Sequence, residues 1–438
     1  MRRFLLVLIV GVLSVAGSAR ALPPSPKGSG PRTAFSTCFE GSALRCSSRA
    51  ESAPKIAPST LPFRVQPDDA LTRDAFEKYY NMDYSGAIVL FREERRARPD
   101  DPFVVNHLLA AVLAKELNRE GALDATLYMG NGFLQLKVPP VDPRVRAEIG
   151  RLSQRSLALA NQTLAKNPND VNALFARSVA RGLATVYSAV IEKKWVGALK
   201  QALGAYHDDI RILKLDPNYS DAKLVVGTYQ YIIGSLSWWE KSIAFVADIH
   251  GSKKKGLRLL REAADGGGEE SIDASTILAL FLARDRRYPE AIRIIGQLYS
   301  DFPHNFIFGL AQADLLHASG QHEEAITAYR KLVELAQQRF FPDARAERAA
   351  LSLGNALRDQ KDYAGAAKAY DESANFPRAN PAIAATASLD AGEMYDLLGQ
   401  RGTARERYHR AIQIAPGSSP SRVAQRLLNG QDTSAKAN

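Results

Sequence analysis

Chemistry-bearing motifs are what this sequence has least of. Its 438 residues contain no G-x-S-x-G nucleophile turn, no H-E-x-x-H pair, no G-x-x-x-x-G-K-[ST] phosphate loop and no cluster of Cys with His. The seven histidines are scattered. His317 and His322 straddle the turn ASGQ and read as surface residues, and in His207-Asp208-Asp209 successive helical side chains point apart. These absences exclude the familiar hydrolytic and nucleotide-driven designs. The expectation is a protein that is not an enzyme and holds no metal or cofactor.

Cysteine is nearly missing as well. Cys38 and Cys46 lie near the start, where they can close a small loop in an oxidising compartment, a local clip rather than a framework. Charge of one sign is not concentrated: basic residues alternate with acidic ones, as in REERRARPDD, which is a solvated helix face and not a nucleic-acid patch. The apolar run FLLVLIVGVLSVAG, residues 4–17, is short of the roughly 20 residues that cross a bilayer. With Arg2 and Arg3 before it and Ala19-Arg20-Ala21 after it, residues 1–21 read as a secretory signal cleaved after Ala21. Its removal takes the formal charge from +10 to +7. The expected location is therefore exported, periplasmic or otherwise at the cell envelope, with no membrane span in the mature chain.

What the sequence does contain is ordered by composition. Residues 22–67 hold eight Pro, eight Ser and three Gly, a tether that solvates rather than packs. Beyond it, 46% hydrophobic and 24% charged residues are an ordinary folding composition. In LDAGEMYDLLGQRGTARERYHRAIQIAP, near the C-terminus, Leu389, Gly392, Tyr395 and Leu398 form one helical stripe. Gly399 stops it in the left-handed cap conformation. A second helix is expected from a Thr403-x-x-Glu406 capping box, burying Ala404, Tyr408, Ala411 and Ile412 and ending at Pro416. Gly392 is expected to let the pair close on the flat surface of Ala404. The tyrosines fill the gaps between successive pairs.

Copies of this hairpin follow one register. Ala404 is matched by Ala366, Ala325 and Ala291, each just after a turn, and twelve residues before them stand Gly392, Gly354, Ala313 and Ala279. DYSGAIVLF repeats the pattern early, with Ala75, Ala87, Phe91 and Pro99 in place. Between about 103 and 270 the match weakens, although NPND, DPNYSDA and Gly227 mark further boundaries. This resembles the tetratricopeptide repeat (TPR) family. The resemblance implies an all-α solenoid, a right-handed superhelix of antiparallel helix pairs whose first helices line a concave groove, because one pair cannot shelter its own apolar side. The expected plan is an irregular TPR-like region at 68–270, regular repeats with a capping helix at 271–428, and a disordered tail at 429–438.

The resemblance implies a scaffold that holds a protein or peptide partner in the groove. Groove candidates on the regular first helices are Asp314, Arg348, Asn355, Asp390 and Glu393. They do not reproduce the Lys, Asn and Arg clamp by which some family members take acidic chaperone tails, and their mixed signs suit a partner carrying both. A second reading is a solute-binding or transport-accessory protein, similar to the periplasmic TPR subunits of tripartite importers. It would use the aromatic segment YQYIIGSLSWWEK, with Tyr229, Tyr231, Trp238 and Trp239. GSKKKGLRLL and DGGGEE read as a solvated turn and a flexible connector.

Overall fold

The computed structural model describes residues 70–123, 141–236, 250–341, 344–377 and 379–435. The signal, the tether, Cys38, Cys46, Trp238 and Trp239 lie outside the described residues. Seventeen α-helices and no strand occur among the described residues. They pack as eight antiparallel pairs and a closing helix, each contacting chiefly its chain neighbours, as a solenoid requires. In chain order the pairs are α1 (Ala70–Tyr80) with α2 (Tyr84–Ala97), α3 (Pro102–Arg119) with α4 (Pro143–Lys166), α5 (Val171–Val186) with α6 (Trp195–Leu215), and α7 (Ala222–Gly234) with α8 (Lys253–Asp265). They continue as α9 (Ser271–Arg284) with α10 (Tyr288–Asp301), α11 (Phe306–Ala318) with α12 (His322–Gln337), α13 (Glu347–Asp359) with α14 (Tyr363–Asn375), and α15 (Pro381–Leu397) with α16 (Arg401–Ile414). The closing helix, α17 (Ser419–Ala435), continues past the expected boundary at 428.

Proline and aspartate set the helix starts. Asp101 and Asp142 cap α3 and α4 just before Pro102 and Pro143, which supply the fixed φ of a first helical residue. Asp83 and Asp362 accept from the amides of Gly86 and Gly365 to start α2 and α14. α16 departs from the expected capping box: it begins at Arg401, ahead of Thr403, and its N-cap Gln400 makes no side-chain bond. Gly399 takes the expected left-handed φ of +74°. In the expected stripe Leu389 is buried, but Leu398 is 37% exposed beyond the end of the packed face.

The small residues of the repeat are buried as the register requires: Ala75, Ala87, Ala291, Ala313, Ala325, Ala366 and Ala404 are all fully enclosed. The glycine's role differs from the expectation. A methyl placed on Gly392 would stand 2.5 Å from Cε1 of Tyr408, and Gly354 meets Tyr370 in the same way. The glycine thus makes room for the tyrosine ring of its own pair, not for Ala404. That ring, among the largest fully buried side chains, fills the hairpin core.

α5 runs into a π-helical turn, Tyr187–Ile191, and this segment is long and apolar enough to cross a membrane. More than half of its apolar window is buried inside the fold, the pattern of a core helix.

The first five pairs curl until they meet. Tyr80 at the end of α1 donates from its hydroxyl to Asp273 of α9 (2.8 Å), and its ring lies 5.3 Å from that of Phe302 after α10. Asn305, the N-cap of α11, donates from its side chain to the Tyr80 carbonyl (2.7 Å), and Asn81 accepts from the His304 amide (3.1 Å). One apolar core accordingly runs from Ala75 to Leu315. Pairs six to eight continue the stack, and a second apolar core joins them to Met82, Tyr84 and Ala114 of the first two pairs.

Candidate functional site

The first helices of the closed turn face a central chamber of about 250 Å³. Its walls are aromatic and apolar, from Phe76 and Tyr79 on α1, Phe103 on α3, Phe175 and Leu183 on α5, Leu224 on α7 and Ile277 on α9. Into this lining project His107, Asp221, Glu269, Glu270 and Asp273. His107 Nδ1 lies 3.4 Å from Glu94 and its Nε2 3.4 Å from Glu269. Burial opposes the imidazolium, yet the two carboxylates outweigh it and hold the ring's pKa up to about 10. Burial also pushes Asp221 up to about 6, against the pull of the Glu269 and Glu270 amides, of which Glu270's bonds it at 3.1 Å.

The segment DGGGEE builds one wall of this chamber and is not the free connector expected from its composition. A Cβ on Gly268 would collide with the Asp221 carboxylate, so only glycine lets the loop descend on the turn before α7. That descent delivers Glu269 and Glu270 to the interior. The legible signal was a paired glutamate directly after three glycines and before a first helix, complemented by the aspartate of DPNYSDA.

The five groove candidates all stand on first helices, α11, α13 and α15. Asp314 and Arg348 line a pocket of only about 30 Å³, shared with Met82, Asn118, Gly121 and Leu123, so the α1–α2 turn and the end of α3 approach their part of the inner wall. Desolvation there pushes Asp314 up to about 6 and the Arg348 guanidinium down to about 10. Asp314 also accepts from the Tyr329 hydroxyl (2.6 Å), and Asn355 accepts from Tyr370 (2.8 Å). Asp390 and Glu393 stand one helical turn apart on α15, both raised by burial, Asp390 to about 6, with Arg358 as the opposing charge.

The two described aromatic candidates pack against other rings. Tyr231 is fully buried, stacked on Phe281 at 3.8 Å, and its hydroxyl donates to Asp285 (3.0 Å). Tyr229 stacks on Tyr206 at 3.9 Å. Lys253 of GSKKKG reaches Asp285 as an ion pair, and His317 pairs with Asp359 at 3.2 Å. Of His207-Asp208-Asp209, Asp208 is clamped by Arg177 and Arg181. No group of three or more His, Cys, Asp or Glu side chains among the described residues could hold a metal ion.

Another opening departs from the sequence-based expectation. A cleft of about 1460 Å³ separates α2, α3 and α4 from the ends of α12 and α14 and the start of α13. Both walls carry both signs: Arg92, Lys115 and Arg119 stand with Glu116, Asp142 and Glu148 on one, and Arg339 and Arg345 with Glu347 and Glu372 on the other. Some are paired, Arg92 with Glu148 at 2.8 Å and Arg345 with Glu347 at 3.0 Å. Lys115 and Arg339 are exposed.

Residues 310–339, which are α12 with most of α11, match the tetratricopeptide repeat family model. No curated protein matches the sequence. Among solved structures, the Cut9–Hcn1 hetero-tetramer of the APC/C is similar at 12% identity over 82% of this chain and 56% of that one, with a TM-score of 0.46. This chain thus spans little more than half the length of that relative. Yeast Tom70 is similar at 12% identity over 84% of this chain and 96% of that one (TM-score 0.38), and Pseudomonas aeruginosa PilF at 17% over 57% and 98% (TM-score 0.36). Residues 310–339 thus carry a tetratricopeptide repeat, the sixth of eight helix pairs stacked in an all-α solenoid.

Proposed function

We propose that this protein is an exported, non-enzymatic scaffold that holds a protein or peptide partner of the cell envelope. The observation that carries the reading is the cleft of about 1460 Å³, roomy enough for a peptide segment and lined by both signs of charge over apolar side chains such as Ile88, Val112 and Val145. The mixed-charge partner expected from the sequence suits this cleft better than the five inner-wall residues, of which Asp314 and Arg348 share a pocket of only about 30 Å³. Export rests on the leader pattern of residues 1–21.

The test is affinity capture from cell-envelope extract with the mature chain, against the double variant K115E/R339E. Both side chains are exposed, so helix content should be unchanged. Loss of the captured partner in the variant supports the cleft; identical capture by both proteins refutes it. Fractionation settles export, and a chain retaining residues 1–21 in the cytoplasm would count against it.

A further inference from the structure

The chamber inside the closed turn carries more negative charge than it has partners for. Glu269 faces His107, Asp273 accepts from Tyr80, and Asp221 accepts from the Glu270 amide. Glu270 brings a further carboxylate, and the negative charges of Asp273, Asp221, Glu269 and Asp209 all act on it. Beside them the Thr228 hydroxyl lines the chamber, is 3% exposed and has no hydrogen-bond partner. A buried hydroxyl left unbonded costs free energy that a bound donor would recover.

We propose that this chamber binds a small organic cation, an amine with a compact apolar body, its ammonium held between Glu270 and Asp273 and reaching Thr228. The volume of about 250 Å³ equals that of about eight waters, room for one small molecule. The rings of Phe76, Tyr79 and Tyr80 line the same space and present faces and edges that suit an ammonium and its apolar body. A metal ion fits poorly, because no three-ligand group exists among the described residues. An anion would meet the carboxylates, and the one cation among them, His107, is already engaged on both ring nitrogens. This site is separate from the outer cleft and does not depend on the scaffold reading.

Burial raises Glu270 and Asp273 above the usual carboxylate range, with Asp221, Glu269 and Asp209 adding to Glu270 and the Tyr80 hydrogen bond opposing the rise at Asp273. The other groups facing them are His107 and Tyr79. An entering ammonium favours the charged carboxylates, so binding should release protons and tighten as pH rises.

The experiment uses the mature chain with 2-phenylethylamine and putrescine as probes and 2-phenylethanol as the neutral isostere. Either amine should raise the unfolding temperature at millimolar concentration while the alcohol does not. Calorimetry in buffers of different ionisation enthalpy should show proton release. E270Q, D273N and T228V should each weaken amine binding, the two carboxamide variants by about tenfold or more, whereas K115E/R339E should leave it unchanged. No stabilisation by either amine, or equal stabilisation by 2-phenylethanol, overturns the proposal even if every chamber variant fails to fold. Wild-type affinity in E270Q and D273N overturns it as well.

Discussion

Tyr80 reaches across 193 residues of chain to Asp273, whereas Tyr408 reaches back only twelve to Asp396. Both are buried tyrosines donating to a carboxylate, yet the first closes a ring of five helix pairs and the second locks a single hairpin. Pairs six to eight repeat one device: Tyr329, Tyr370 and Tyr408 each stand on a second helix and donate to Asp314, Asn355 and Asp396 on the first. The last joint is local too, with Arg407 gripping Asp371 of the preceding pair at 2.6 and 3.0 Å. The same buried tyrosine-to-acceptor bond therefore closes an interior where it spans the chain and locks one hairpin where it spans a turn.

This comparison is broken most severely at Tyr80. Y80A removes an enclosed aromatic ring and the tie to α9, at a cost of about 3–5 kcal/mol. Because that tie joins pair one to pairs five and six, amide exchange should quicken throughout residues 70–310. Y408A should cost a similar amount, but its faster exchange should stay within α15, α16 and α17, as nearest-neighbour stacking dictates. Equal spread of the two effects would erase the distinction between the regions.

His107 comes next. H107Q leaves Glu94 and Glu269 without the cation between them, and breaking a buried pair in this way costs about 3 kcal/mol. The pH dependence follows from the raised pKa: the imidazolium's contribution is complete below the unfolded value of 6.5 and fades as pH climbs to about 10. Denaturant titrations should therefore show the largest gap between wild type and H107Q near pH 6 and a shrinking gap toward pH 10. A gap independent of pH would mean that the ring acts by packing alone against Phe76 and Phe91, its neighbours at 4.9 and 5.5 Å.

How far the sequence could be read follows the same division. The alanine register, the small residue twelve before each alanine, and Gly399 were all legible, because they obey rules confined to one hairpin. Closure was not, since Tyr80 and Asp273 share no local pattern and no spacing rule links residues 193 apart. The narrow pocket at Asp314 and Arg348 was hidden for that reason: Met82 and Leu123 arrive from the other end of the chain. Glu269 and Glu270 escaped because glycine-rich composition signals freedom, while here Gly266 and Gly268 permit close approaches to Ser220 and Asp221. The groove positions themselves were correctly placed on first helices, which is a local property.

Within the open region, Gly392→Ala should sharpen the account of the hairpin core. Its methyl would press on the Tyr408 ring, and overpacking of this kind costs about 1–3 kcal/mol. The control is the double variant with Tyr408→Phe: if the hydroxyl's bond to Asp396 pins the ring, releasing it should reduce the penalty of the methyl. A thermal-unfolding cycle measures the coupling, and strict additivity would count against contact between the two.

The smallest effect is expected at Asp390, and it has the opposite sign. Burial lifts its pKa from 3.8 to about 6, with Glu393 adding to the rise and Arg358 opposing it. Between these two values the folded chain holds a proton that the unfolded chain has lost, so the stabilising contribution present below 3.8 disappears as pH rises to about 6. At pH 7 the carboxylate is then charged on a wall that disfavours charge. D390N, which keeps the shape and cannot ionise, should stabilise the protein by on the order of 1 kcal/mol at pH 7 and by almost nothing near pH 4. Stability curves of the two proteins should converge on acidification. Convergence toward alkaline pH instead would mean that the Arg358 guanidinium, and not burial, governs this stretch of the inner wall.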